Sequence, residues 1–350
     1  MHSHNAAIVP LEFVGPIKII GKEVCDEVKV PMATFESPLW PSTNRGAKAT
    51  FAAGGIKATL VDDRMSRSIV LEAIDASHAV ELVAELRTRH EELENLVATT
   101  SRFAKLKDWH VQIVGNLLYI RFAITSGDAS GHNMVTAAAE AILNWILREY
   151  PTMQYVSISG NFCTDKKVSA VNGILGRGKY VVAEIMIPSA ICNGVLKTTP
   201  DKVVNLHIKK NLIGTMLAGG LRSANAHFAN MLLAVYLATG QDAANIIEGS
   251  QGIVHAEIRD SDLYFSVTLP NIIVGTVGNG KHLDFARHNL QLLGCLEPRL
   301  PMVNARRLAI IIACSVLCGE LSLLAAQTNQ GELMRTHLRL ERVAKDTKQL

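Results

Sequence analysis

Residues 308–326 read LAIIIACSVLCGELSLLAA, and this stretch decides between a membrane-spanning helix and a helix inside a globular fold. Its length and apolar composition are close to those of a membrane span. However, the run contains Glu320 and directly follows Arg306 and Arg307. Charged groups at these positions favour a helix buried within a protein. We therefore predict a large domain built around this buried central helix.

The overall composition indicates a globular protein. The chain has 350 residues, 48% of them hydrophobic, which is enough for two domains and a sizeable core. Lys and Arg number 35 against 32 Asp and Glu, a balance that excludes a basic nucleic-acid surface. The first residues, MHSHNAAIVP, lack the features of a signal peptide, and the six cysteines include no CxxC pair. We therefore predict a cytoplasmic protein with no metal site, no nucleic-acid partner and no membrane attachment.

The segment between residues 68 and 158 differs in pattern from its surroundings. HAVELVAELRTRHEELENLV has helical spacing with Ser77 as a candidate N-cap, and VTAAAEAILNWILREY is a second helix. The strand-like runs WHVQIVGN, LLYIRFAIT and YVSISG complete the segment. We predict an α+β fold in which a small α+β domain, residues 68–158, is inserted into a large domain formed by residues 1–67 and 159–328. Residues 329–350 form a polar C-terminal tail.

A glycine-rich helical stretch is predicted from about Thr199 to Thr239, and residues 210–240 carry little charge and many alanines and glycines. This composition predicts a helical stretch that is buried on all sides, since small residues allow close packing. Its polar side chains, among them Asn225, His227 and Asn230, therefore stand out as candidates for a site.

Two glycine-rich segments, GILGRGK (173–179) and GTVGNGK (275–281), fit the G-x4-G-K spacing of a phosphate-binding loop. Neither continues with the Ser or Thr that binds Mg²⁺ in such loops. We therefore interpret both as turns. No G-x-G-x-x-G follows a strand, so a Rossmann domain is not supported.

Polar residues in apolar surroundings are the stronger indication of a site. The segment SGNFCTDKK (159–167) places Asp165, Lys166 and Lys167 between two strand-like runs. A lysine near a buried carboxylate can stabilise a developing oxyanion. Each of these residues alone also fits a turn cap or a solvated side chain, so both interpretations remain open at this point.

Taken together and in this order, eleven segments resemble the 3-hydroxy-3-methylglutaryl-coenzyme A (HMG-CoA) reductase family over roughly residues 10–340. They are VPMATFESPLWPSTNRGAKA, MSR, TSRFAKL, GDASGHNM, SGNFCTDKK, NGILGRGK, KNLIGTMLAGG, NAHFAN, GQDAAN, GTVGNG and GELSLLAA. Chance matches of this number in one order are implausible. The wording SGNFCTDKK is similar to the class I form of the family.

The resemblance implies a reductase that converts HMG-CoA to mevalonate and free coenzyme A with two NADPH, or alternatively NADH. It implies that Lys166 stabilises the oxyanion, that Glu36 donates a proton from a buried position, and that Asp242 sits between them and tunes both. It also implies that His337 protonates the departing thiolate of coenzyme A. The active site is expected at the interface of a homodimer or a multiple of it.

The resemblance also assigns binding residues. The expected substrate contacts are Arg67, Ser159, Asp165, Lys167, Lys210 and Asn230, with Asn44 and Arg45 near coenzyme A and the cofactor. The expected cofactor contacts are Ser101, Arg102, Phe103, Asp128, Ala129, Ser130, Gly131, His132 and Asn133. An arginine at the adenosine end suits a 2′-phosphate and favours NADPH. The small domain is expected to be a ferredoxin-like, non-Rossmann cofactor domain, and the tail a lid over the site.

The sequence departs from the family pattern at several positions. ATFESP replaces ATTEGC around Glu36, so Phe35, Ser37 and Pro38 change the bulk there. DASGHN replaces DAMGMN, and no counterpart of the family's N-terminal ENVIG segment is recognisable. These departures keep two alternatives open, namely a non-catalytic relative that binds an acyl-CoA and a reductase of a different acyl-CoA. A P-loop nucleotide hydrolase is a further, improbable alternative.

Overall fold

The computed structural model describes residues 7–335 and residue 338. The strands are β1 (Leu11–Ile20), β2 (Asp26–Ala33), β3 (Ile56–Glu72), β4 (Leu106–Val114), β5 (Leu117–Ile124), β6 (Gln154–Ser157), β7 (Gly178–Ile187), β8 (Ile253–Arg259) and β9 (Asp262–Ile272). The helices are α1 (Leu39–Ala52), α2 (Ala76–Thr88), α3 (His90–Thr100), α4 (His132–Glu149), α5 (Ala170–Leu175), α6 (Ser189–Ile191), α7 (Pro200–Leu206), α8 (Thr215–Leu217), α9 (Phe228–Ala238), α10 (Ile246–Gly249), α11 (Asp284–Leu292) and α12 (Val303–Gln327). Cys192–Leu196 and His207–Gly214 are π-helical, and Ala243–Asn245 is a 3-10 turn. The predicted α+β class is confirmed.

The long strand β3 connects two groups of strands. Its first part pairs antiparallel with β7, and the order across that part of the sheet is β2-β1-β3-β7-β9-β8. Its second part, residues 65–72, pairs antiparallel with β5, which in turn pairs with β4. The short strand β6 pairs with the end of β3. The two groups of strands are therefore joined through one continuous strand, β3.

Two hydrophobic cores lie along β3. The first surrounds α12 and includes buried residues of α1, α9 and strands β1, β2, β7, β8 and β9. The second is formed by α2, α3 and α4 against β4, β5 and the second part of β3. Apart from Ile273, the buried residues of the second core come from residues 65–153.

Helix α12 is buried inside the protein, as its sequence predicts. In its most apolar 18-residue window, 94% of the residues are buried. Helix α1 packs directly against it, and Gly46 makes this close approach possible. A Cβ atom at Gly46 would overlap the carbonyl oxygen of Cys318. The central helix thus fixes the position of α1 and of the loop before it.

Two local predictions are wrong. The N-cap of α2 is Asp75, whose carboxylate accepts a hydrogen bond from the His78 N–H at 2.8 Å, and Ser77 lies inside the helix. The stretch 210–240 is not one buried helix, because residues 218–227 separate α8 from α9. Met216 and Leu217 at the end of the first piece are 72% and 82% exposed.

Candidate active site

The side chains of Lys166 and Asp242 meet at the surface of a cleft. Lys166 lies in the loop after β6 with a φ of +55°, and Asp242 caps the 3-10 turn after α9. Lys166 Nζ donates to Asp242 Oδ2 at 2.8 Å. This hydrogen bond raises the pKa of Lys166, against a smaller opposing effect of desolvation. Lys166 is therefore held in the charged form that can stabilise an oxyanion.

Asp242 is the ionised partner in this pair. Burial alone would raise the pKa of Asp242, but hydrogen bonds from Lys166 and from the Ala244 N–H hold it below its ordinary value. Both side chains of the pair are about half exposed, at 40% for Lys166 and 47% for Asp242. The pair can therefore meet a ligand directly, and its contribution to folding stability is small.

Asp165 lies against the side chains of Arg177 and His132. Arg177, which is fully buried, places Nη1 3.0 Å from Asp165 Oδ1, and His132 Nε2 lies 3.6 Å from the same oxygen. Burial alone would raise the pKa of Asp165, but the interactions with His132 and Arg177 hold it far below its usual range. His132 begins α4, so this contact joins the loop before α4 to the loop that carries Lys166.

A cleft of ≈ 630 Å³ lies beside these side chains. Its walls are residues 129–134 before and at the start of α4, residues 165–166, residues 240–242 and residues 277–281. The last group belongs to GTVGNGK, a predicted turn and one of the segments that resemble the reductase family. Lys281 in that loop is almost fully buried, and burial lowers its pKa although the charge of Asp242 opposes this.

The cleft fits a phosphate-bearing cofactor. The N-terminus of the 18-residue helix α4 opens into it, and such a terminus favours anions. Gly131, with a φ of +97°, makes the turn into this helix. Gly275 lets the two loops touch, because a Cβ atom there would overlap the backbone nitrogen of Ser130. The walls thus combine backbone donors with the cations Lys166 and Lys281.

Glu36 belongs to a second cluster. It lies between β2 and α1, is exposed, and its Oε2 accepts a hydrogen bond from Asn230 Nδ2 at 2.8 Å. Asn230 also contacts His227 Nδ1 at 3.4 Å. These three residues line a cavity of ≈ 360 Å³ together with Arg45. The burial expected for Glu36 is therefore not provided by the part of this chain that the structure describes.

The two clusters are not in contact within one chain. Among residues 7–335, no hydrogen bond or ion pair joins Glu36 to Lys166 or Asp242. Asp242 interacts with Lys166 and the Ala244 N–H, while Glu36 interacts with Asn230. The contacts within one chain therefore do not bring the carboxylates of Glu36 and Asp242 and the amino group of Lys166 into a single site.

Comparison with known protein families shows which kind of enzyme these two clusters of side chains come from. The family model described as hydroxymethylglutaryl-coenzyme A reductase matches residues 5–342. The chain belongs to this family. It is therefore an oxidoreductase of the HMG-CoA reductase type, as the order of its segments predicts.

Named reductases cover most of the chain. The 3-hydroxy-3-methylglutaryl-coenzyme A reductase of Pyrococcus abyssi is 44% identical over 95% of this chain and 82% of its own length. Reductase 3 of Solanum tuberosum is 44% identical over 97% of this chain and 59% of its own length. A class II reductase structure from Streptococcus pneumoniae, bound to NADPH in open conformations, has a TM-score of 0.75 and 21% identity, covering 94% of this chain and 87% of that one. At this identity the structural likeness shows the shared fold.

Several residues expected in the reductase site have structural partners. Asp128 caps α12, because its carboxylate accepts hydrogen bonds from the N–H groups of Met302 at 3.0 Å and Ala305 at 2.9 Å. The Asn44 Oδ1 accepts the N–H of Gly15 at 2.9 Å. These two side chains therefore organise the backbone around the site, and neither partner is predictable from local sequence.

Arg45 holds the cavity beside Glu36 to the central helix. Its Nε donates to Ser322 Oγ at 3.0 Å, its Nη2 to the carbonyl of Ser322 at 2.6 Å, and its Nη1 to Glu332 at 2.7 Å. The expected acid for the thiolate, His337, lies outside the described residues.

Other expected reductase residues remain available to a ligand. Arg67 donates to Thr136 Oγ1 at 2.7 Å and to Ser159 Oγ at 3.3 Å, and Ser159 is exposed. Lys167 is also exposed. Burial lowers the pKa of Lys210, although the charge of Glu320 opposes this.

The expected adenosine-end residues form a turn after α3 in which Arg102 is exposed and Ser101 and Phe103 are half-buried. Ser101 Oγ accepts the N–H of Phe103 at 3.2 Å, and the Arg102 guanidinium lies 4.6 Å from the Phe103 ring centre. Phe103 packs beside Gly127, where an added Cβ atom would lie 3.3 Å from the ring. This turn is thus adjacent to the loop that precedes the cleft.

Glu320 supports the Glu36 cluster from inside the core. Its carboxylate accepts the N–H groups of Ala226 at 2.5 Å and His227 at 3.0 Å, just before α9. Burial raises the pKa of Glu320 to about 7, while burial lowers the pKa of His227 to about 4. His227 is therefore neutral near pH 7, and Lys210 is the nearby cation that acts on Glu320.

Replacing Glu320 by glutamine should change how stability depends on pH. The folded protein binds the Glu320 proton more tightly than the unfolded chain, whose reference pKa is 4.5. This group therefore contributes stability below pH 4.5, and the contribution is lost as pH rises towards 7. Glu320→Gln should gain up to about 3 kcal/mol relative to wild type between pH 5 and pH 8.

Denaturant unfolding at one protein concentration measures this difference. His227 also contributes a pH dependence in the acidic part of this range, because burial lowers its pKa to about 4 in the folded protein. This contribution is common to wild type and variant, so it cancels in their difference. An unfolding free-energy difference between variant and wild type that is equal at pH 5 and pH 8 would show that Glu320 does not titrate in this way.

Proposed function

We propose that this protein reduces HMG-CoA to mevalonate and free coenzyme A at the expense of two NADPH. The observation that carries the proposal is the ion pair between Lys166 and Asp242 at the mouth of a cleft that fits a phosphate-bearing cofactor. Family membership supports the choice of substrate. Arg67, Ser159, Asp165, Lys167, Lys210 and Asn230 are proposed to bind the hydroxymethylglutaryl group.

In the proposed mechanism, Lys166 donates a hydrogen bond to the thioester oxygen and stabilises the negative charge that develops there. Bound NADPH would supply the hydride for each of the two reductions. Asp242 keeps Lys166 protonated and oriented. Glu36 delivers a proton to the reduced oxygen, and His337 protonates the coenzyme A thiolate when the carbon–sulfur bond breaks. The two hydrides and these protons account for the alcohol and the free thiol.

The cofactor is proposed to bind along the loop before α4. Ala129, Ser130, Gly131, His132 and Asn133 would contact its pyrophosphate, with Asp128 shaping the loop and Ser101, Arg102 and Phe103 at the adenosine end. The second hydrophobic core supports a ferredoxin-like, non-Rossmann cofactor domain at residues 68–158. Residues 1–67 and 159–328 would form the substrate domain, and residues 329–350 a lid. The free cysteines agree with a cytoplasmic location.

Replacing Arg102 by alanine should weaken NADPH binding about 10- to 100-fold and leave NADH binding nearly unchanged. The physical reason is that only NADPH carries the 2′-phosphate that a guanidinium can bind at two oxygens. Titration of each cofactor measures both dissociation constants, with Arg148→Ala on the exposed side of α4 as the control. Equal weakening of both cofactors would exclude a role of Arg102 in reading the 2′-phosphate.

We propose further that the active site forms between two copies of the chain. The π-helical segment and α8 expose Ile208, Leu212, Ile213, Met216 and Leu217, an apolar strip beside Lys210. Exposed apolar surface of this kind is typical of protein interfaces. A second copy packed there would bring Glu36 of one subunit to Lys166 and Asp242 of the other, and would bury Glu36 as its role requires.

The proposed reaction is tested by its stoichiometry. Purified protein with limiting HMG-CoA should oxidise two NADPH for each free thiol released, and NADH in parallel reports the cofactor preference. Absence of NADPH oxidation by folded protein that binds HMG-CoA would favour the non-catalytic relative. Oxidation of NADPH only with another acyl-CoA would favour a different substrate. Other acyl-CoAs belong in the test because Phe35, beside Glu36, is exposed and changes the bulk there.

A further inference from the structure

The backbone of Lys166 is held by a side chain that none of the family motifs assigned to the site. Lys166 has a φ of +55°, and Asn161 and Thr164 in the same loop also have positive φ values of 55° and 45°. Non-glycine residues rarely adopt this conformation, so surrounding contacts must hold the loop. The Lys166 N–H donates to Oε1 of Glu248 at 3.1 Å.

Glu248 is a fully buried carboxylate on α10. The same oxygen, Oε1, also accepts hydrogen bonds from Arg177 Nη1 at 2.9 Å and Asn245 Nδ2 at 3.0 Å. Burial raises the pKa of Glu248, while the charge of Arg177 and the Lys166 N–H oppose this. Three donors therefore converge on one oxygen that water does not reach.

Both ends of Lys166 are thus held by one short segment of chain. Asp242 binds the ammonium group at 2.8 Å, and Glu248, six positions later, binds the backbone N–H. Arg177 connects the same carboxylate to Asp165, at 3.0 Å from Asp165 Oδ1. The direction of the Lys166 side chain depends on this arrangement, because a left-handed residue that loses its anchor can return to ordinary backbone angles.

We propose that Glu248 is a positioning residue for the reduction and acts by fixing Lys166 in its left-handed conformation. The inference rests on the proposed role of Lys166 and adds a residue that does not touch the substrate. A displacement of a catalytic group by about 1 Å typically costs on the order of 100-fold in rate. The loss should therefore appear in hydride transfer rather than in substrate binding.

Glu248→Gln tests the proposal with nearly unchanged volume. A neutral amide removes the negative charge opposite Arg177, and its single carbonyl oxygen accepts the three converging hydrogen bonds more weakly than a carboxylate does. We expect kcat to fall 10- to 100-fold, while KM for HMG-CoA stays within about threefold. NADPH deuterated at the transferred position should show a larger isotope effect on kcat in the variant, because hydride transfer then limits the rate more strongly.

Glu248→Asp is the second variant and keeps the charge beside Arg177. Its carboxylate is withdrawn by about one carbon–carbon bond, roughly 1.5 Å, from the Lys166 N–H. We expect kcat to fall and the isotope effect to rise here too. This variant retains the ion pair, so it keeps the test decisive if the neutral variant does not fold.

The control is Asp63→Asn. Asp63 is another buried carboxylate with cationic partners, Lys179 at 3.6 Å and Arg306 at 2.9 Å, and no contact with Lys166 is among its interactions. It should lower stability without lowering kcat of the folded enzyme. Wild-type kcat in both Glu248 variants, or an equal loss in Asp63→Asn, would overturn the inference. Absence of turnover by the wild type would instead overturn the proposed function, and this inference with it.

Discussion

Replacing Lys166 by alanine should lower the turnover of HMG-CoA at least about 100- to 1,000-fold, which is the typical loss when one donor to a developing oxyanion is removed. Alanine removes the ammonium group, which binds Asp242 and is proposed to bind the thioester oxygen as charge develops. The loss should therefore fall on kcat. The steady-state rate of NADPH oxidation at saturating substrate measures it.

The fold should survive this change. The Lys166 side chain is 40% exposed, and an exposed ion pair contributes at most about 1 kcal/mol to stability. The matched control is Lys197→Ala, because Lys197 is an exposed lysine with a φ of +58° in a different part of the chain. We expect both variants to melt close to wild type and only Lys166→Ala to lose activity. Retention of more than about a tenth of wild-type kcat by Lys166→Ala would exclude the oxyanion role.

Replacing Glu36 by glutamine should lower kcat about 100-fold or more, because a positioned general acid typically contributes this amount. Glutamine keeps the size of the side chain and can still accept the hydrogen bond from Asn230. What it removes is the proton that the reduced oxygen needs. Turnover at saturating HMG-CoA and NADPH measures the effect, and substrate binding should be little changed.

Glu27→Gln is the control for this prediction, since Glu27 is an exposed glutamate on β2, the strand that leads towards Glu36. It should have wild-type kcat. If Glu36→Gln also kept wild-type kcat, the proton would come from another group, and the cluster around Asn230 would have a binding role only.

The sequence predicts the parts of the fold that depend on local pattern. The apolar run with Glu320 predicts the buried helix α12, and the structure confirms it. The stretch 210–240 fails because composition does not report where a helix is interrupted, and its exposed Met216 and Leu217 have no local sequence signal. Interfaces and cores use the same apolar residue types. The sequence of one chain therefore does not show whether an apolar residue lies in the core or at a surface that binds a second chain.

The site shows a similar limit. The pair of Lys166 and Asp242 involves residues that are distant in sequence, and only the order of the motifs indicated that both belong to one site. Asp128, which the motifs predict as a cofactor contact, also caps a helix that begins far along the chain, and this role has no local sequence signal. Glu248 left no signal, because a carboxylate that binds a backbone N–H needs only the right position in space.

We propose that Glu36 of one subunit completes the site that Lys166 and Asp242 form in the other, and a mixed dimer tests this most directly. Co-expression of Lys166→Ala and Glu36→Gln chains with different affinity tags, followed by purification on both tags, gives the mixed dimer. Our account predicts about half of the wild-type activity per mixed dimer, because one of its two sites keeps both residues. Activity no higher than that of either parent variant, or failure to recover any mixed dimer, would contradict it.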